Sequence, residues 1–406
     1  MSSPDILQGP LLRQRFAELD AFLLAHQPLW REKPFVQRTL AWEAAHPALA
    51  AWLRGRSLEQ AEALHNHPEQ LLDAPAPFAE LAAQAAKLAS VGPLPAATLA
   101  SLPASFSVDV PGRKWQQIDA FAASLDFRQP VQHWLDWCAG KGHLGRRLAH
   151  AGTPLTCLEY DSALIADGQR LSRRLALDAR HIEQDVLAAS AEGRLHAEHT
   201  PVALHACGAL HMRLLQLASR SGCRQLAVAP CCYNRIDADR YAPLSQAAQA
   251  STLQLGRDDL GLPLQETVTA GNRVRRQRDH SMARRLAFDS LQRELRGVDA
   301  YLPTPSLPPA WLHKPFAAWC RDLAALKGLP APVARDWAAL EASGWQRLAE
   351  VRNLELLRGL FRRPLEVWLL LDRALYLEEQ GYAVRLGTFC AYRLTPRNLL
   401  LLAERQ

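Results

Sequence analysis

The chain predicts an α/β fold: a doubly wound, mostly parallel sheet with a C-terminal antiparallel hairpin, plus an N-terminal helical domain and a helical insertion. Two observations predict it. Between residues 131 and 235 short apolar runs alternate with helical stretches, the rhythm of βαβ units in a parallel sheet. Residues 365–403 then read helix, strand, tight connection, strand, which inserts an antiparallel strand at the sheet's edge.

Residues 1–105 are alanine-rich, with apolar residues three and four apart in Leu11–Leu24, Pro34–Trp52 and Leu58–Leu72, so a helical domain is expected there. Pro93, Pro95 and Pro103 mark a linker. Residues 110–235 begin the sheet domain. Its predicted strands are Gln132–Trp137, Leu155–Leu158, His181–Ile182, Val202–His205 and Gln225–Ala229; Leu144–Ala151, Ser162–Leu175 and Leu210–Ser219 are its helices. Residues 236–345 break the rhythm with a basic helix, Asn272–Arg296, a joint at Pro303–Pro309 and a Trp-rich helical pair. Residues 346–406 complete the sheet domain. There a helix, Leu365–Gln380, is stopped by Gly381, and strands Tyr382–Cys390 and Asn398–Ala403 flank Thr395–Pro396.

An apolar share of 49% and a charged share of 22% over 406 residues are those of a globular chain. No apolar stretch approaches the roughly 18–20 residues of a membrane span, and the first residues lack a secretory pattern. Eight unevenly spaced cysteines read as reduced thiols. A cytoplasmic location without a membrane partner is the expectation; oligomeric state is not legible. The net charge is +6, with 41 Arg against 6 Lys. A GC-rich genome accounts for that bias unless the arginines cluster.

The sharpest local signal is Trp134-Leu-Asp-Trp-Cys-Ala-Gly-Lys-Gly-His-Leu-Gly145. Gly140, Gly142 and Gly145 follow a predicted strand and open a helix. Glycine allows the sharp turn and a ligand's close approach, and a helix N-terminus offers N–H groups. Glu159 ends the next strand, 19 residues after Gly140, where a carboxylate can accept both ribose hydroxyls of a nucleoside. Asp185 closes the third strand, within reach of an adenine amine; an N-cap role suits it equally. Asp136 lies inside the first strand, where a charge is costly unless it serves the loop or the positive end of a cofactor. Lys141 centres the turn. This pattern fits either NAD or S-adenosyl-L-methionine. The single mononucleotide half and the final hairpin favour the latter.

Two further strand ends should share that rim. One is Leu204-His-Ala-Cys-Gly-Ala-Leu210, the other Ala229-Pro-Cys-Cys-Tyr-Asn-Arg235. His205, Cys231, Cys232, Tyr233 and Asn234 are candidates to hold an acceptor and take or orient its proton, with His205 and Cys207 also against the cofactor. Zinc is not expected, because adjacent cysteines point apart and no second Cys-x-x-Cys completes a tetrahedral set.

With these pieces assembled, the sequence resembles the Rossmann-like methyltransferases grouped with the METTL-type proteins of the methyltransferase-32 domain. The group includes relatives of a transfer-RNA ribose methyltransferase and of an rRNA adenine dimethylase-like protein. The resemblance covers about residues 110–406. It rests on Asp136-Trp-Cys-Ala-Gly-Lys-Gly-His-Leu, His205-Ala-Cys-Gly, Pro230-Cys-Cys-Tyr, Leu370-Leu-Asp-Arg-Ala-Leu-Tyr376 and Thr395-Pro-Arg-Asn-Leu399. It implies S-adenosylmethionine bound through the glycine loop, Glu159 and Asp185. The chain carries Asn234 where many such relatives have His, and Ala209 where they have an acid.

For the acceptor, RNA is expected ahead of protein. Arg273, Arg275, Arg276, Arg278, Arg284, Arg285, Arg293 and Arg296 fall within 24 residues, a pattern that attracts a phosphate backbone unless the face is balanced by acids. A scaffold that binds the cofactor without turnover and an NAD-linked oxidoreductase are the alternatives. Glu159→Ala should weaken cofactor binding by roughly 1.5–3 kcal/mol, the size of a charged hydrogen-bond partner. Calorimetric titration with S-adenosylhomocysteine measures it, and an unchanged dissociation constant would refute the ribose contact.

Overall fold

The computed structural model describes residues 4–266 and 271–406, the side chain of Asn272 excepted. Eight strands form one sheet: β1 (Leu7–Gln8), β2 (His133–Trp137), β3 (Leu155–Glu159), β4 (Ala179–Glu183), β5 (His199–Cys207), β6 (Gln225–Cys231), β7 (Tyr382–Thr388) and β8 (Leu399–Arg405). Their order is β1-β7-β8-β6-β5-β2-β3-β4. The run β4-β3-β2-β5-β6 is parallel. β8 is antiparallel to both β6 and β7. It therefore lies two places in from the edge, inside β7, and β1, antiparallel to β7, takes the edge itself.

β5 and β6 are longer than their apolar runs suggest, because neighbours on both sides extend the ladder. Their buried residues make near-continuous apolar strings, as strands covered on both faces do. The chain runs β2, β3, β4 to one side and then crosses back to lay β5 on the other side of β2. That reversal opens a crevice at the carboxyl ends of β2 and β5. One core cluster against the sheet includes Phe121, Trp134, Leu155, Val202, Ala227, Phe389 and Leu400.

The chain divides into two compact units whose limits differ from the expected ones. The first holds residues 1–25, 88–265 and 362–406; the second holds 26–87 and 266–361. A single helical domain over 1–105 is thus not what forms. Residues 7–8 pair with β7, a two-residue strand too short to show a period. The helix Pro10–Ala25 packs on the helix Arg362–Glu379, with the rings of Phe16 and Trp368 5.3 Å apart and Trp368 Nε1 donating to Asp20. Helical periodicity marks an apolar face without naming what covers it.

In the second unit the helices Asn272–Arg296, Phe316–Leu326 and Trp337–Gly359 pack together. Phe288, Leu291, Phe316, Trp319 and Leu323 form a core there. A Cβ on Gly344 would stand 2.3 Å from the Ala283 carbonyl, so only glycine permits that helix crossing.

Residues 236–265 stay with the sheet because Asp372 holds them. Its buried carboxylate accepts from Tyr241 Oη, from the N–H groups of Leu244 and Ser245, and from Ser245 Oγ. Arg373 donates to His211 Nε2 and Tyr241 Oη. Asp372→Ala would strand several buried donors at once. It should cost about 3 kcal/mol or more, read from urea denaturation; a loss of about 1 kcal/mol or less would contradict this role.

Candidate active site

The turn after β2 takes its shape from three positive-φ residues, Cys138 (57°), Gly140 (55°) and Gly142 (71°). The glycines do different work. A Cβ on Gly140 would meet nothing within 4 Å, so the space above it is open. A Cβ on Gly142 would come within 2.7 Å of His181, and one on Gly145 within 2.7 Å of Leu155. Those two let the short helix His143–Leu148 sit down on β3 and β4. The expected cradle of free helix N–H groups is narrowed. Gly140, Gly142 and Gly145 donate to Glu159 Oε2, the Ala139 carbonyl and Asp136 Oδ2 respectively.

Glu159 is joined to the turn: Gly140 N–H donates to Oε2 at 2.7 Å. Oε1 accepts from the N–H groups of Tyr160 and Asp161. A carboxylate offers about four acceptor sites, so the capacity left for a ribose lies on the oxygen beside Gly140. Asp185 follows β4, which pairs with β3 in the register Glu159↔Glu183. It is exposed, with Oδ1 accepting from Leu187 N–H. Lys141 is tied to Asp167 at 2.8 Å.

Asp136 is 3% exposed. Burial pushes its carboxyl up to about 7, against the pull of the Gly145 N–H and of Arg146. Cys138, inside the glycine-loop motif but not among the residues given a role from it, lies under the charges of several acids. Burial and then the charges of Glu159, Asp136, Cys207 and Asp185 push its thiol up to about 12.

The other half of the rim is built by β5 and β6. The β5–β6 register shifts between Leu204 and Cys207, and His205 adopts φ 65°. Among the described residues, three of the five non-glycine positive-φ positions (Cys138, His205 and Cys232) lie at this rim. Such strain gathers at functional sites. His205 Nε2 meets Gln117 Oε1 at 2.7 Å. Burial, then the charges of Lys114 and Arg397, bring its pKa down to about 4, so it is neutral at pH 7.

Tyr233 does not face an acceptor. It is 1% exposed, its hydroxyl donates to buried Glu366 and Arg373 lies over its ring. The chain turns under the sheet after Cys232, so Tyr233 fills the core. Asn234 remains half-buried at the rim. Cys207, Cys231 and Cys232 come together with all three sulfurs within 4.8 Å, contrary to the expectation that adjacent cysteines point apart. Cys232 has φ 45°, and a left-handed residue breaks the strand alternation behind that expectation.

The arginine helix belongs to the second unit and is mostly spoken for there. Arg284 and Arg293 are buried on Glu341 and Asp289. Arg278 pairs with Glu62 and Asp279, while Arg285 and Arg296 bind carbonyls and polar side chains. Of the eight, only Arg273 and Arg276 are exposed.

Residues 113–239, which carry most of this rim, match a family model described as a methyltransferase domain, methyltransferase 32. These residues form a methyltransferase domain of that type.

Among solved structures, this chain is similar to the Pyrococcus abyssi tRNA (uracil-54, C5)-methyltransferase bound to S-adenosyl-L-homocysteine. That match has 19% identity and a TM-score of 0.25 over 28% of this chain and 28% of that one. It is also similar to magnesium protoporphyrin IX methyltransferase from Synechocystis PCC 6803, at 13% identity, TM-score 0.30, covering 76% and 90%. Coclaurine N-methyltransferase matches at 14% identity, TM-score 0.25, covering 86% and 91%. Likenesses of this size transfer neither residues nor substrates.

Asp136 makes stability depend on pH. Its pKa is raised from 3.8 to about 7 on folding, so the folded chain keeps a proton that the unfolded chain has released. Stability from this group is full below about pH 4 and falls as pH rises toward 7. Asp136→Asn keeps an acceptor for Gly145 N–H and removes the slope. Urea denaturation across that range should show the variant gaining on wild type with rising pH; parallel curves would refute the assignment.

Proposed function

We propose that the chain transfers a methyl group from S-adenosylmethionine to RNA. For the donor half, the observation that carries the reading is the bond from Gly140 N–H to Glu159, with open space above the turn. When bound, S-adenosylmethionine supplies an electrophilic methyl group on a sulfonium. Glu159 would hold its ribose, Asp185 its adenine, and Asp136 its positive end, with Gly140, Lys141 and Gly142 forming the floor. NAD fits less well, because after β6 the sheet closes with the β7–β8 pair and forms no second nucleotide half.

With Gln117 Oε1 as acceptor, the His205 proton sits on Nε2. Nδ1 is then the atom that takes or orients the acceptor's proton. Asn234 adds an amide at the same rim.

For an anionic acceptor, the support is local charge. Lys114 and Arg397 bear on His205, and Arg235 and Arg397 on Cys232. Of these cations Lys114 and Arg235 are exposed and would attract a phosphate backbone to that side of the rim, while Arg397 is paired with Glu366. The arginine helix supports RNA less than its sequence suggests, since most of its cations already have partners.

The test is tritium transfer from labelled cofactor into fractionated lysate of a strain lacking the gene. Label should be sensitive to RNase and resistant to protease; the reverse pattern makes protein the acceptor. The double variant Lys114→Glu, Arg235→Glu should raise KM for RNA far more than it lowers kcat. It should also flatten the log–log salt dependence by roughly 0.7 for each phosphate that is no longer neutralised. An unchanged KM would remove the cationic rim from the acceptor site.

A further inference from the structure

The sulfurs of Cys207, Cys231 and Cys232 lie within 4.8 Å of one another, with Cys207 and Cys231 3.5 Å apart. A disulfide would need about 2.05 Å, so these are separate thiols. A tetrahedral zinc with Zn–S of about 2.3 Å spaces its sulfurs about 3.8 Å apart, inside the observed range. The irons of a cubane cluster would hold their cysteines farther apart.

The backbone fixes this arrangement. Gly208 N–H donates to the Cys231 carbonyl, Ala209 N–H to the Arg235 carbonyl, and Arg235 N–H to the Cys232 carbonyl. These bonds lace the ends of β5 and β6 together. A Cβ on Gly208 would stand 2.0 Å from the Arg235 carbonyl oxygen, so the residue after Cys207 must be glycine for the two loops to close. Cys232 holds φ 45°, which brings its sulfur to the side of its neighbour's. Three thiolates and one divalent ion sum to minus one, and Arg235 bears on both Cys207 and Cys232 with the sign that offsets that charge.

We propose that Cys207, Cys231 and Cys232 bind one zinc ion through three thiolates, with a non-protein fourth ligand at the acceptor rim. No fourth His, Cys, Asp or Glu atom joins the cluster among the described residues. Three protein ligands and an open position are the form of a catalytic rather than a structural zinc site, and thiolates select soft metals. The open position takes water or a small sulfur donor. The inference is independent of which macromolecule receives the methyl group.

The full chain, purified anaerobically under reducing conditions, should carry about one zinc by elemental analysis. Cys207→Ser, Cys231→Ser and Cys232→Ser should each lower zinc content at least tenfold, while Cys390→Ser keeps it. Cobalt(II) reconstitution of the wild-type chain needs no variant to fold. It should give tetrahedral d–d bands and thiolate charge transfer of three-sulfur intensity, and 2-mercaptoethanol should shift the d–d bands. The proposal is overturned by absent metal together with no cobalt spectrum, by zinc retained in all three variants, by iron with acid-labile sulfide, or by a native Cys207–Cys231 disulfide in the intact mass. Cobalt bands that 2-mercaptoethanol leaves unmoved would overturn the open fourth position.

Discussion

The crossing that lays β5 beside β2 is the constraint on which the rest depends. Parallel strands send all their carboxyl ends to one rim, and the reversal keeps two neighbouring exits from being roofed by a single helix. The glycine turn after β2 and the thiol-bearing ends of β5 and β6 therefore meet, although Cys207 and Cys231 follow Gly140 by 67 and 91 positions in the chain. Glu159 and Asp185 arrive from β3 and β4 for the same reason. The rim thus has a carboxylate side and a thiol side, with Cys138 under the charges of both.

Behind the rim, buried polar side chains hold the long returns of the chain. Asp372 gathers the segment after β6, and Glu366 receives the Tyr233 hydroxyl together with Arg363 and Arg397. A buried carboxylate left with fewer donors carries its desolvation cost uncompensated, so these bonds commit residues 233–245 to one path. The motif Leu370 to Tyr376 supplies Asp372 and Arg373, whose partners Tyr241, Leu244, Ser245 and His211 are buried parts of the fold.

Legibility followed how local the signal was. The βαβ rhythm, the glycine turn, the helix Asn272–Arg296 and the last two strands could be read because each is set by periodicity or by a turn residue within a few positions. Glu159 could be placed beside the glycine turn because its distance from that turn is fixed by one helix and one strand. Tyr233 was misplaced because nothing nearby says which way the chain turns after Cys232. The arginine helix looked free because its acidic partners, Glu62 and Glu341, are remote in sequence.

By itself the sequence determined the class of sheet, the glycine turn and the carboxylate beside it, since backbone geometry and side-chain alternation are written over short spans. The tertiary structure alone decided which arginines stay exposed, where the aromatic of the Cys-Cys-Tyr segment goes and that three thiols share one point. Those outcomes are contacts between distant residues. No local rule supplies their partners until the strands are in register and the loops have closed.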